Sequence, residues 1–92
     1  MSQPENYRIE MYSTAICPYC VAAKNFLVSR GLGYEEMRID RDRAQFDAML
    51  KRSNGARSVP QIFINDRHVG GYTDLISLHQ SGELDSWLTT TP

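Results

Sequence analysis

The strongest constraint on this chain is the position of its two cysteines, Cys17 and Cys20, between segments of different hydrophobic periodicity. Residues 7–12 alternate apolar and polar side chains as a strand does, and residues 19–30 carry apolar side chains at helical spacing. The fold must therefore hold both thiols where a strand gives way to the start of a helix.

This junction favours redox chemistry. Pro18 fits the first turn of a helix, because proline there loses no hydrogen bond. The first N–H groups of a helix lack intrahelical partners and carry the positive end of the dipole, so they stabilise a thiolate at Cys17. Such sites typically lower a cysteine pKa from ~8.5 to ~3.5–7.5. Because positions 17 and 20 are one turn apart, the sulfurs can close a disulfide, with Cys17 as nucleophile and a shielded Cys20 as resolving thiol.

Two other roles for a C-x-x-C pair fit this sequence less well. Half of a zinc site would need further ligands, but the chain has no other cysteine, and His68 and His79 lie far away at unrelated spacing. A structural disulfide over so short a segment would restrict little chain entropy and is typical of secreted proteins. We therefore expect no metal site and a catalytic disulfide.

Length and composition narrow the function classes further. With 92 residues the chain predicts one domain, 1–92, with a core from about residue 7 to 88. A formal charge of −1 gives no field that would attract nucleic acid or an anionic membrane. The polar first six residues lack the parts of a signal peptide, and no apolar run approaches the ~20 residues of a membrane span. We expect a cytoplasmic protein with loose ends.

The rest of the chain repeats the change between strand and helix periods. Residues 34–40 alternate again and residues 43–53 follow as a helix, which predicts a parallel, right-handed β-α-β unit. Strands 61–64 and 68–70 form a hairpin around Asn65-Asp66. Thr73 or Asp74 is expected to cap a third helix, and a short fourth helix follows. The order β-α-β-α-β-β-α-α predicts an α/β four-stranded mixed sheet flanked by helices.

Three motifs resemble those of dithiol glutaredoxins, most closely the small bacterial type. They are Cys-Pro-Tyr-Cys at 17–20, Ser-Val-Pro at 58–60 and Gly-Gly-Tyr-Thr-Asp at 70–74, in the order and at the separations that this family shows. The resemblance runs from about residue 7 to 88. It implies a thioredoxin-like fold and glutathione-dependent reduction of protein disulfides and glutathione mixed disulfides.

The resemblance also implies a binding site around the catalytic cysteines. The bond before Pro60 should be cis, so that the Val59 backbone pairs with the cysteinyl part of glutathione. The N–H groups of Thr73 and Asp74 should bind the γ-glutamyl carboxylate. A plain turn proline and an ordinary helix cap remain the alternatives for these two motifs. The implied glutathione-binding residues are Tyr19, Ser58, Val59, Pro60, Gly71, Tyr72, Thr73 and Asp74.

Two positions depart from the family pattern. Many members have lysine where this chain has Thr14, and glutamine or arginine where it has Asp47. In the family, the lysine can attract the thiolate or the glycyl carboxylate of glutathione, and the glutamine or arginine is presented to that carboxylate. Arg57, or Lys51 and Arg52, can compensate for the missing charge.

The resemblance implies glutathione as co-substrate and no tightly bound cofactor. Implied partners are disulfide-containing or glutathionylated proteins and, indirectly, glutathione reductase, with a monomeric enzyme. A thioredoxin-like reductant is the alternative enzyme, disfavoured by residues 70–74. An iron–sulfur carrier, with two chains sharing a cluster, is the alternative from another class, and Pro18 disfavours it by family analogy.

Overall fold

Four strands and four helices follow one another along residues 6–89, which are the residues that this computed structural model describes. Their order is the predicted one. The first six and the last few residues were expected to be loose ends, and of these, residues 1–5 and 90–92 lie outside the described residues. The elements are β1 (Ile9–Ser13), α1 (Pro18–Ser29), β2 (Glu35–Arg38), α2 (Arg43–Arg52), β3 (Gln61–Ile64), β4 (Arg67–Gly70), α3 (Tyr72–Ser81) and α4 (Leu84–Thr89).

The strands form one mixed sheet in the order β2-β1-β3-β4. β1 pairs in parallel with β2 and antiparallel with β3, and β4 pairs antiparallel with β3. The predicted parallel β-α-β unit and hairpin are therefore confirmed. Tyr12, near the end of β1, lies opposite Gln61, at the start of β3. The segments after β1 and before β3 consequently meet at the same end of the sheet.

β1 lies in the interior of the sheet, is buried along its whole length, and spans residues 9–13 rather than the predicted 7–12. Helices cover both faces of the sheet, so its two polar side chains also lack solvent. Glu10 is 7% exposed and pairs with Arg52 at 2.9 Å, while the Ser13 hydroxyl donates to Glu36. Buried polar groups that find such partners avoid the cost of desolvation.

Two apolar layers hold the sheet between the helices. The larger layer contains residues of β1, β3, α1, α3 and α4, among them the fully buried Met11, Leu27 and Leu75. The smaller layer packs Met49 of α2 against Tyr12 and Phe63. Each large side chain buried in this way contributes about 1.5–3 kcal/mol, and the helices are fixed on the sheet as a result.

Some predicted boundaries move by one to three residues. β2 ends at Arg38 rather than residue 40, because the chain turns after Ile39 donates its N–H to the Ser13 carbonyl. The hairpin turn at Asn65 and Asp66 is confirmed, with φ of 50° and 67°. No helix within residues 6–89 is both long enough and apolar enough to span a bilayer.

Candidate active site

Cys17 caps the N-terminus of α1. Its backbone is extended, with φ −155° and ψ 99°, and its Sγ accepts the Cys20 N–H at 3.1 Å. Pro18 occupies the first turn, which contains no acidic residue. The helix start expected at Pro18 is therefore confirmed. The helix N-terminus faces the sulfur with no carboxylate of its own turn to oppose it, so it favours a negative charge there.

The two cysteines form the disulfide expected from their spacing. Their Cα atoms are 5.2 Å apart, which is a normal separation for a disulfide. Cys20 is 1% exposed, whereas Cys17 is half-buried at the surface. A substrate disulfide or a thiolate from solvent can therefore reach Cys17. Cys20 is shielded and reacts only with a disulfide bond formed at Cys17.

The loop before β3 closes over the sulfur. The Val59–Pro60 peptide bond is cis, as the resemblance implied. The Val59 carbonyl oxygen lies 3.7 Å from Cys17 Sγ. This brings the backbone of residues 58–60, which is distant in sequence, directly beside the reactive atom.

The N-terminus of α3 forms the opposite wall, but its cap differs from the prediction. Gly71 is the N-cap, and neither Thr73 nor Asp74 takes that place. Asp74 instead lies in the first turn and accepts the Gly71 N–H at 2.8 Å. The first intrahelical bond comes from Leu75, to the Gly71 carbonyl at 3.1 Å. The N–H groups before Leu75 belong to the open end of the helix and suit an anion.

A groove of about 470 Å³ runs between these walls. The rings of Tyr19 and Tyr72 stack across it, with centroids 6.1 Å apart. All eight residues expected to bind glutathione line the groove, so the structure brings them together. Four further lining residues were not among the predicted site residues: Ala56, Gln61, His68 and Gly70.

The segment before Cys17 is held by a carboxylate. Asp40 accepts the Ala15 N–H at 3.1 Å and forms two hydrogen bonds with Arg38, at 2.8 and 2.7 Å. The Arg38 guanidinium, with the Ala15 N–H, keeps the pKa of Asp40 far below its usual range. The ionised carboxylate therefore fixes the loop that leads into the reactive cysteine.

The two departures have different surroundings. The Thr14 hydroxyl donates to the Ile16 carbonyl at 3.4 Å and brings no charge. Asp47 pairs with Arg43 at 3.2 Å, and both side chains are largely exposed. The carboxylate at position 47 is thus partly neutralised by its own helix.

Arg52, offered above as a compensating charge, lies at the other end of the sheet. Besides Glu10 it bonds Asp66 in the hairpin turn at 3.3 Å and the Tyr12 hydroxyl at 3.0 Å. Its guanidinium also lies over the Phe63 ring at 4.1 Å. These contacts use Arg52 for the fold and leave it unavailable to a ligand beside Cys17.

Within residues 6–89, no three side chains of His, Cys, Asp or Glu are grouped as a metal site would require. The site instead combines a disulfide at a helix N-terminus, a cis-proline loop and a groove. The family model for glutaredoxins matches residues 9–69, about two thirds of the chain, and covers both the cysteines and the loop. The chain belongs to the glutaredoxin family.

Individual glutaredoxins are similar over most of their length. Glutaredoxin 3 of Escherichia coli is 45% identical over 80 residues, which cover 87% of this chain and 95% of that protein. A glutaredoxin of Neisseria meningitidis is 47% identical over 81 residues, or 87% and 94% of the two chains. This glutaredoxin is therefore an oxidoreductase, with Cys17 and Cys20 as its redox pair.

Solved structures agree with the fold. The solution structure of a Brucella melitensis glutaredoxin has a TM-score of 0.75 at 37% identity, covering 90% of this chain and 89% of its own. The buckwheat glutaredoxin–glutathione complex has a TM-score of 0.79 at 28% identity, covering 90% and 77%. The fold of this glutaredoxin is thioredoxin-like.

Proposed function

We propose that this glutaredoxin reduces protein disulfides and glutathione mixed disulfides with glutathione as co-substrate. The observation that carries the proposal is the groove, which is walled by the cis-proline loop and the N-terminus of α3. The Val59 carbonyl of that loop lies 3.7 Å from Cys17 Sγ, so the groove runs beside the reactive sulfur. Glutathione is an extended, anionic tripeptide. Exposed backbone and an open helix end recognise those two properties.

The reaction is a series of thiolate exchanges. The Cys17 thiolate attacks one sulfur of the substrate disulfide, forms a mixed disulfide and expels the other sulfur as a thiolate, which takes up a proton. Either Cys20 or a glutathione thiolate then attacks the bond at Cys17. For a protein disulfide, two glutathione thiols supply the two electrons and leave as glutathione disulfide. For a glutathione mixed disulfide, one glutathione thiol suffices, because the glutathionyl group held on Cys17 becomes the other half of the glutathione disulfide. Glutathione reductase then reduces that product.

The proposed binding site for glutathione follows the groove. The Val59 backbone pairs with the cysteinyl part, beside Cys17, and the N–H groups of Thr73 and Asp74 bind the γ-glutamyl carboxylate. The Asp74 carboxylate attracts the neighbouring ammonium. Tyr19 and Tyr72 cover the ligand. The buckwheat glutaredoxin, whose structure contains glutathione, supports this assignment by its similar fold.

Among the three compensating cations, we assign the glycyl carboxylate to Arg57. It lies between two groove residues, Ala56 and Ser58, and its guanidinium is 5.9 Å from the centre of the Phe46 ring. Phe46 packs against the same apolar cluster as Val59. A cation in this place lies beside the loop that binds the cysteinyl part, and the glycyl carboxylate is the next group along the tripeptide.

Reduction of a glutathionylated peptide tests the proposal. Glutathione with glutathione reductase and NADPH should support turnover, and thioredoxin reductase with NADPH should not. Cys17→Ser should abolish turnover, because no other residue can attack the disulfide. Cys20→Ser should keep deglutathionylation, which glutathione completes, but lose reduction of protein disulfides by the dithiol route.

Two results would contradict this function. Turnover supported only by thioredoxin reductase would identify a thioredoxin-like reductant. Equal loss of deglutathionylation in both cysteine variants would show that the roles of nucleophile and resolving thiol are wrongly assigned.

A further inference from the structure

A chain of hydrogen bonds crosses the floor of the groove and ends at the loop beside Cys17. His68 of β4 contacts Gln61 of β3, with Nε2 and Oε1 2.6 Å apart. The Gln61 amide contacts the Ser58 carbonyl oxygen at 3.0 Å and its hydroxyl at 3.2 Å. The next residue, Val59, has its carbonyl 3.7 Å from Cys17 Sγ.

The chemistry of these groups fixes the direction of every bond. A backbone carbonyl only accepts, so the amide nitrogen of Gln61 must be the atom that faces Ser58. Its amide oxygen therefore faces His68. Since that oxygen only accepts, the proton lies on Nε2 of the imidazole, and His68 is the donor that starts the chain.

Because Gln61 is buried, the hydrogen-bond chain depends on its first donor, the His68 N–H. Gln61 is 4% exposed, so an amide oxygen left without a partner there would pay the cost of desolvation. The imidazole itself is positioned by stacking on Phe63, with ring centres 4.8 Å apart and planes at 25°. Phe63 lies opposite His68 in the β3–β4 ladder.

We infer that His68 is a positioning residue for the glutathione-binding site. Acting through Gln61, its N–H holds the Ser58 carbonyl and so fixes the Val59 peptide that lies beside Cys17. The inference rests on the proposed use of glutathione. It assigns a part in that reaction to a side chain for which the sequence predicted only a place in the strand 68–70.

A matched pair of variants separates the donor from the ring. His68→Phe keeps a ring to stack on Phe63 but has no N–H, whereas His68→Gln restores a donor of similar reach. His79→Gln is the control, because it removes the other histidine, which lies in α3 outside the groove. Each protein is assayed with a glutathionylated peptide over a range of glutathione concentrations.

The hydrogen-bond chain from His68 through Gln61 to Ser58 predicts a change in KM for glutathione. His68→Phe should raise it about two- to tenfold, the range expected for loss of one hydrogen bond, while kcat changes less. His68→Gln should return most of the way, and His79→Gln should match the wild type. A structural role alone would lower the melting temperature without separating KM from kcat in this way.

A double-mutant cycle gives a second test that does not depend on His68 variants alone. Gln61→Met breaks the chain in the middle, so adding His68→Phe to it should raise KM no further. Additive effects of the two substitutions on KM would overturn the inference about His68. An unchanged KM in His68→Phe, or a rise in KM for His68→Gln equal to that for His68→Phe, would overturn it as well. If the wild type itself does not turn over with glutathione, the proposed function fails first, and the two failures are distinguishable.

Discussion

Gly70 is the position where the structure makes the sharpest prediction about stability. Its φ is +117°, in the region that side chains rarely adopt. A Cβ added there would collide with the Asp74 carboxylate and would lie 2.8 Å from its Cγ and 3.2 Å from its Cβ. The Asp74 side chain would have to turn away, and the bond it accepts from the Gly71 N–H would break.

The expected cost of Gly70→Ala combines these two effects. Backbone strain at such a φ is worth about 1–3 kcal/mol, and loss of the helix cap about 0.5–2 kcal/mol. We therefore expect the free energy of unfolding to fall by about 2–5 kcal/mol, which a domain of total stability about 5–15 kcal/mol can survive in folded form. KM for glutathione should rise as well, because Asp74 belongs to the proposed binding site.

Denaturant unfolding with two companion variants separates the terms. Gly82→Ala places a side chain at φ +82° with no atom within 4 Å, so it measures strain alone, about 1–2 kcal/mol. Asp74→Ala measures the cap alone. In the double variant Gly70→Ala/Asp74→Ala the second change should cost almost nothing, since the cap is already lost. Additive costs, or a Gly70→Ala no worse than Gly82→Ala, would refute the proposed collision.

Three further predictions concern charge. The alkylation rate of reduced Cys17 should rise with pH around a midpoint well below that of a free thiol; a midpoint near ~8.5 would contradict activation by the α1 N-terminus. Burial raises the pKa of Glu36, but hydrogen bonds from Lys24 and Ser13 outweigh this effect and leave the pKa below its ordinary value. The ionised Glu36 therefore stabilises the fold at neutral pH, and this stabilisation is lost as the pH falls through the pKa of the folded state. Lys24→Met should therefore lower the melting temperature at pH 7, and the difference from the wild type should shrink on acidification; a constant difference would show a packing effect only. Asp47→Gln releases Arg43 from an exposed ion pair worth about 0.2–1 kcal/mol, so KM for glutathione should fall by no more than a few-fold, and less at high salt; no change at low salt would place position 47 outside the field of the ligand.

Local chemistry explains what could be predicted from the sequence. The residue types of Cys17 and Pro18 predict a helix start, and those of Asn65-Asp66 predict a tight turn. Both features depend only on neighbours within a few positions of the chain. The cap of α3 could not be assigned in this way. Asp74 carries the expected capping side chain, but it works from inside the first turn and leaves Gly71 as the N-cap, which only the backbone path decides.

The role of His68 lies beyond local pattern for a related reason. Its contact with Gln61 depends on the register between β3 and β4, and that register shifts between Ile62 and Phe63. A shift of one residue would turn the imidazole to the other face of the sheet. In strands of four residues the hydrophobic pattern is too short to fix such a register, so only the folded ladder reveals the hydrogen-bond chain.

The distribution of charge along the sheet also explains how a protein of net charge −1 can bind an anionic tripeptide. At the end away from the cysteines, Arg52 forms ion pairs with both Glu10 and Asp66 and partly offsets their negative charge. At the cysteine end, two helix N-termini meet, those of α1 at Cys17 and of α3 at Gly71. Their partial positive charges are fixed by the backbone and do not depend on side-chain cations. The missing charge at Thr14 therefore weakens the field at the groove without removing it. The thiolate and the ligand anion are stabilised in the same way, each by the N-terminus of a helix.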